Sequence, residues 1–193
     1  LSLPHDHELR ECLPQGPEPG QGNCRDKEDG GRARHLMPDL ALAEEDAAFE
    51  NAPDPDHPGW HLWELRDTRR FNGQVMGKLI TRLEDNGLVR LRMLPELKHT
   101  NLLDIVHGAA TLALIDISLF TCGHMLGLKG MAGSVTLDLS TQFIGGGYPN
   151  RPLDSVVEVL KETKRLVFLR GLVEQDDHKV AAFSATIRKG RSQ

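Results

Sequence analysis

The sequence predicts an α+β fold in which an antiparallel sheet of six strands wraps around one long central helix. Three observations carry this. His107 to Leu126 is apolar on nearly every helical face, through Ala109, Ala110, Leu112, Leu114, Ile115, Ile117, Leu119 and Phe120, as a helix buried all round should be. The chain after it alternates with the period of strands, most cleanly over Ser134–Ile144. Before it, Asp85-Asn86-Gly87 separates two short apolar runs, the pattern of a tight hairpin.

Taken in order, residues 1–36 carry Pro4, Pro14, Pro17, Pro19 and five glycines from Gly16 to Gly31, with few apolar side chains. Such a segment buries too little surface to offset its ordering entropy, so a disordered head is expected. Met37 opens a stretch of ordinary composition and reads as a candidate native start. Residues 37–70 are expected to form an N-terminal helical extension. Pro38–Asn51 is rich in helix formers, a proline-bounded break follows at Asn51–Pro58, and a short element then carries Trp60 and Trp63. The main domain spans 71–190. Its strands are Leu79–Glu84 and Leu88–Leu94, then, beyond the helix and Gly127 as its C-cap, Ser134–Ile144, Ser155–Leu160, Arg165–Glu174 and Val180–Arg188. In the first of these later strands Val135, Leu137, Leu139, Thr141 and Phe143 share one face, and Thr136 falls on the other.

Composition excludes several classes. With 193 residues, 39% of them hydrophobic, the chain can bury one domain's core. The balance of 23 basic against 28 acidic residues leaves a formal charge of −5, which argues against a protein held on nucleic-acid phosphates. The run Ala109–Phe120 is interrupted by Thr111, Asp116 and Ser118 and reads as too short and too polar for a membrane span. Cys12, Cys24 and Cys122 are odd in number and form no CxxC pair, so neither a disulfide framework nor a four-cysteine zinc site is expected. A reducing, cytoplasmic setting without metal or cofactor fits. His5-Asp6-His7 lies in the head and reads as incidental. Gly145-Gly146-Gly147 lacks the Lys-Ser/Thr of a phosphate loop and reads as a flexible strand connection.

The chemistry concentrates in His99–Asp116. His107-Gly108 falls at a helix start, where unsatisfied amides carry partial positive charge and suit an acyl oxygen that becomes anionic. Gly108 lets a ligand come close to the backbone. Asp116 is a carboxylate among Leu112, Ala113, Ile115, Ile117, Leu119 and Phe120, and burying such a group costs several kcal/mol unless it is paired or protonated. Eight residues separate Gly108 from Asp116, about 12 Å along an α-helix. If both act on one carbonyl, Asp116 must come from a second copy of the chain, across a two-fold dimer.

Asn101, His107-Gly108-Ala109 and Asp116 resemble the signature of hotdog-fold acyl-CoA thioesterases of the phenylacetate-pathway (PaaI-like) type. There an Asn stands six residues before a His-Gly-Gly, and an Asp eight residues after the first Gly. Ala109 replaces the second glycine here. The resemblance continues through Val135–Leu139 and Glu162–Phe168 and covers roughly residues 71–189. It implies a hotdog fold, a homodimer or homotetramer, and hydrolysis of an aryl- or medium-chain acyl-CoA to free acid and CoA. Asp116 would be the general base or nucleophile, and the Gly108 amide would polarise the carbonyl. Asn101 and His107 would line or orient that end beside Ala109, and Thr136 would hold the attacking water or Asp116. Arg151, Lys161, Lys164 and Arg165 are candidates for the CoA phosphates, or a solvated strand edge. A non-catalytic acyl-CoA-binding module is the rival from another class. A hotdog hydratase or dehydratase is disfavoured, since no histidine lies within four residues of Asp116.

Overall fold

The computed structural model describes residues 49–190. The expected head 1–36, with His5-Asp6-His7, Cys12 and Cys24, lies outside the described residues, as does most of the helix read over Pro38–Asn51.

Nine strands and one long helix are described. They are β1 (Phe49–Glu50), β2 (His61–Leu62), β3 (Glu64–Leu65), β4 (Leu79–Leu83), β5 (Val89–Met93), α1 (Gly108–Met125), β6 (Val135–Phe143), β7 (Leu153–Glu162), β8 (Leu166–Gln175) and β9 (His178–Arg188). A π-helical turn, Asn72–Met76, precedes β4, and a 3-10 turn, Leu97–His99, follows β5. One antiparallel sheet runs β2-β4-β5-β7-β8-β9-β6, and α1 packs against its inner face. The six expected strands are all present. The sheet has a seventh, because β2 adds to the edge of β4 through His61↔Thr81 and Leu62↔Ile80.

That strand belongs to the part of 37–70 expected to be helical, and here the structure differs. Residues 49–65 run as β1, β2 and β3, linked by a turn. The reason lies in Asp54. Its buried carboxylate accepts from Lys78 Nζ at 2.9 Å and from the Asp56 N–H at 3.2 Å, and meets His57 Nδ1 at 2.6 Å. Trp60 then lies on the outer face of the sheet between the guanidiniums of Arg82 and Arg92, 4.6 and 4.4 Å from its ring centroid. These tertiary anchors dock the segment on the sheet. The aspartates and prolines do make the turn the sequence suggests.

The core is the inner face of the sheet against α1. Leu114, Ile115 and Leu119 are fully buried beside Val89, Leu91, Leu153, Val157 and Ile187. Each such side chain contributes about 1.5–3 kcal/mol relative to exposure. Ser118 sets the roll of the helix, bonding back to Ile115 O at 2.6 Å and across to Ser155 Oγ of β7 at 2.8 Å. By length and composition α1 could cross a bilayer, longer than the Ala109–Phe120 run suggested, yet the sheet wraps it. It is not buried all round, however. Ala109, Leu112, Ala113, Asp116 and Phe120 form a strip that the sheet leaves partly open, with Leu112 37% exposed. The sheet is open, with β2 and β6 at its edges, and does not close around the helix.

β6 ends the sheet with no partner strand on its outer side among the described residues. It carries one bulge, at Leu137. Leu139, Thr141 and Phe143 pair with Ala185, Phe183 and Ala181, whereas beyond the bulge it is Thr136 that pairs with Ile187. Opposed residues share a face, and Ala181, Phe183, Ala185 and Ile187 all face α1. The extra residue therefore turns Thr136 inward and leaves Leu137 55% exposed, the reverse of strict alternation.

Candidate active site at the head and middle of the central helix

The start of α1 is held from two directions. The Val106 N–H donates to Gly147 O at 2.8 Å and the His107 N–H to His99 O at 2.8 Å. His99 is itself buried, with Nδ1 accepting from the Glu96 N–H at 2.8 Å and Nε2 at 2.6 Å from Val75 O. His107 is the N-cap, in an extended conformation, and its Nδ1 accepts the Ala109 N–H at 2.9 Å. The His107 carbonyl takes the Ala110 and Thr111 amides at 2.9 and 3.2 Å. Of the first-turn amides, that of Gly108 alone has no partner among the described residues. It is the free donor that a helix start offers.

His107 therefore caps the helix. With Nδ1 accepting, its neutral ring carries the proton on Nε2. Ala109 is exposed and its amide is occupied by that cap. Asn101 closes the preceding loop. Its Oδ1 accepts the Leu103 N–H at 2.8 Å, and its own N–H donates to Ile105 O at 2.9 Å. Its Nδ2 makes no hydrogen bond among the described residues. Asn101 and Gly108 share an open cleft of about 380 Å3, lined also by Ile105, Thr111, Phe143 and Gly146.

Two turns further on, Asp116 is half-buried on the open strip of α1. Thr136 Oγ1 donates to its Oδ1 at 2.7 Å. The other carboxylate oxygen makes no hydrogen bond among the described residues. The structure thus joins Asn101 with Gly108, and Asp116 with Thr136, but does not bring the two pairs together within one copy of the chain. α1 is unbroken from Gly108 to Met125, so about 12 Å of helix separates them.

Other candidates fall away from this region. Burial pushes the Cys122 thiol up to about 12, which leaves it a packing residue. Trp63 stacks on Phe49 and leans on His124 at the far end of α1, so neither tryptophan lines the cleft. Arg151 pairs with Asp176 at 2.7 Å, at the opposite end of β7 from Lys161, Lys164 and Arg165. The glycines 145–147 are packed, with a side chain at Gly147 coming within 3.2 Å of Val106 Cγ2. The sequence did not single out His99 or Gln175. Gln175 is buried and clamps residues 148–151 through Tyr148 N–H at 2.7 Å, Tyr148 O at 2.9 Å and Arg151 O at 3.1 Å. Both bond to backbone brought close only by folding, so no local signal announces them.

A family model of the thioesterase superfamily matches residues 103–182. No curated protein matches the chain by sequence. Among solved structures, zebrafish thioesterase superfamily member 2 is similar with a TM-score of 0.56 and 21% identity, over 64% of this chain and 89% of that one. The mouse thioesterase superfamily member 2 gives 0.52 and 22%, over 64% and 92%. The PaaI protein of the E. coli phenylacetic acid degradation operon gives 0.51 and 17%, over 57% and 82%. The stretch matched by the thioesterase-superfamily model holds Gly108, Asp116 and Thr136, and the likeness to these solved structures shows that the chain is carried on a hotdog fold.

Proposed function

We propose that the protein is an acyl-CoA thioesterase of the PaaI-like kind, cleaving aryl- or medium-chain acyl-CoA to free acid and CoA as a homodimer, alone or paired into a tetramer. One observation carries the reading. A single helix presents an unbonded amide, at Gly108, and a carboxylate held by a hydroxyl, at Asp116, along the strip its own sheet leaves open.

A two-fold axis beside that strip supplies the missing geometry. The midpoint between residues 108 and 116 is Leu112. With an axis at Leu112, the mate of α1 runs antiparallel, and its Gly108 lies beside this copy's Asp116. Helices pack about 8–10 Å apart, which leaves a slot between them for a thioester. Asp116, with one oxygen fixed by Thr136, takes a proton from water through the other, and the water attacks the carbonyl carbon. The Gly108 N–H of the other copy receives the developing oxyanion. Collapse of the tetrahedral intermediate breaks the C–S bond, and the CoA thiolate leaves with the proton returned from Asp116, which restores the base. Asn101 and His107 shape the amide end, the second by holding the first turn in place.

Release of free thiol from phenylacetyl-CoA and hexanoyl-CoA tests this. Asp116→Asn, a near-isosteric change, is expected to reduce turnover at least about 100-fold while remaining dimeric. Equal rates in the variant overturn the assignment of Asp116. Tight binding of the esters without turnover by the unaltered protein points to a binding module instead.

A further inference from the structure

One wall of the Gly108 cleft includes Gly145 and Gly146, the first two of a run of three glycines whose position depends on few bonds. Upstream, the Ile144 and Gly145 amides both donate to Val180 O, at 2.8 and 3.1 Å. Downstream, Gln175 clamps Tyr148. Between these anchors, beside packing on Ile105, Val106 and Leu153, two hydrogen bonds hold Gly146 and Gly147. One is the Val106 N–H on Gly147 O, and the other is His178 Nε2 on Gly146 O at 3.0 Å. Three consecutive glycines have the widest backbone freedom of any such run, so each of these bonds removes much motion. The His178 ring also lies against the bare backbone of Gly145, where a Cβ would stand 2.7 Å from Nε2.

We propose that His178 is a positioning residue of the acyl-CoA site, latching the Gly146 carbonyl so that the glycine wall closes on the Gly108 cleft. The proposal rests on the thioesterase reading above. A carbonyl only accepts, so Nε2 is the donor. His178 touches neither Gly108 nor Asp116; it acts through Gly145 and Gly146, with its ring also tilted against that of Tyr148 at 6.3 Å. It opens β9 opposite Gln175, so one hairpin supplies both the latch and the clamp. The head of α1 is held by Gly147 O on the Val106 N–H and also by His99 O on the His107 N–H, so releasing Gly146 leaves both of these bonds in place. Loosening the wall therefore weakens binding of the ester and leaves the chemical step alone. His178 is exposed at a hairpin turn, so it can be replaced without opening the core.

The test compares His178→Ala and His178→Gln, the second keeping an N–H donor. Three readouts are taken: steady-state hydrolysis of phenylacetyl-CoA, calorimetric binding of S-phenacyl-CoA (a thioether that cannot be hydrolysed), and amide hydrogen exchange. For His178→Ala we expect KM and the analogue Kd to rise about tenfold, the worth of one ordering hydrogen bond, with kcat within twofold. Exchange should quicken over residues 144–148 and stay unchanged over α1. His178→Gln should restore all three. Unchanged exchange at 144–148, local loosening without a change in KM or Kd, or failure of the Gln variant to rescue overturns the latch. If the unaltered protein binds the thioether but hydrolyses no ester, the thioesterase reading fails. The analogue Kd and the exchange pattern then still decide whether His178 positions the ligand wall.

Discussion

Thr136 reaches Asp116 because Leu137 bulges out of β6. The hydroxyl donates to the carboxylate at 2.7 Å, and the register shift between Thr136 and Asp138 turns that hydroxyl toward the helix. In an unbroken ladder Leu137 would occupy the inward position and Thr136 would face away. A strand bulge thus aims a side chain at a helix carboxylate, a use bulges serve elsewhere beside active sites.

Removing the hydroxyl leaves Asp116 free to rotate. Thr136→Val is expected to lower kcat about tenfold, consistent with loss of a hydrogen bond to a charged group, and Thr136→Ser is expected to retain activity within about threefold. Thiol-release kinetics on both variants checks this, and a Thr136→Val enzyme as fast as the unaltered one contradicts it.

The shared site predicts complementation. Gly108→Pro removes the free amide at a helix position that tolerates proline, and His107 already has the extended conformation required before it, with ψ 139°. A side chain there meets the Phe143 ring at 3.3 Å, and that exposed ring can move. The variant should fold and lose about 10²–10³ in kcat. Co-expressed with Asp116→Asn, it should recover about a quarter of full activity, because half of the randomly formed dimers hold one intact site of two. Activity no higher than that of either parent places both groups in one copy.

Leu112 should be the centre of the helix–helix contact. Leu112→Asp puts two like charges beside the axis, and we expect a folded monomer by sedimentation, with thiol release lost. A dimer that persists with full activity moves the axis elsewhere.

The seventh strand should come away in acid. Burial alone would raise the Asp54 carboxyl, but the bonds from Lys78, His57 and the Asp56 amide outweigh it and hold the group at about 2, below its ordinary 3.8. A group with a depressed folded value stabilises above its unfolded value and loses that contribution as pH falls through the folded one. The docking of residues 53–62 should therefore weaken between pH 4 and pH 2, read by the fluorescence of Trp60. Asp54→Asn should flatten that window. An unchanged acid transition in the variant argues that Asp54 does not anchor the strap.

How much of this was legible in the sequence follows from the range of each interaction. Helix α1, the Asn86-Gly87 hairpin and the six long strands are written in local periodicity, and their limits fall within two residues of where the pattern puts them. The separation of Gly108 from Asp116 is likewise local, since the rise of one helix determines it. What lies beyond local reach was decided by pairing between distant segments. The bulge at Leu137 exists only against β9, β2 becomes a strand only beside β4, and His107 caps the helix from a backbone held by His99 and Gly147. The open strip at Leu112 and Asp116 has the same origin. Residue type determined that the helix is apolar throughout, but which side stays uncovered depends on how far one sheet can curl around it.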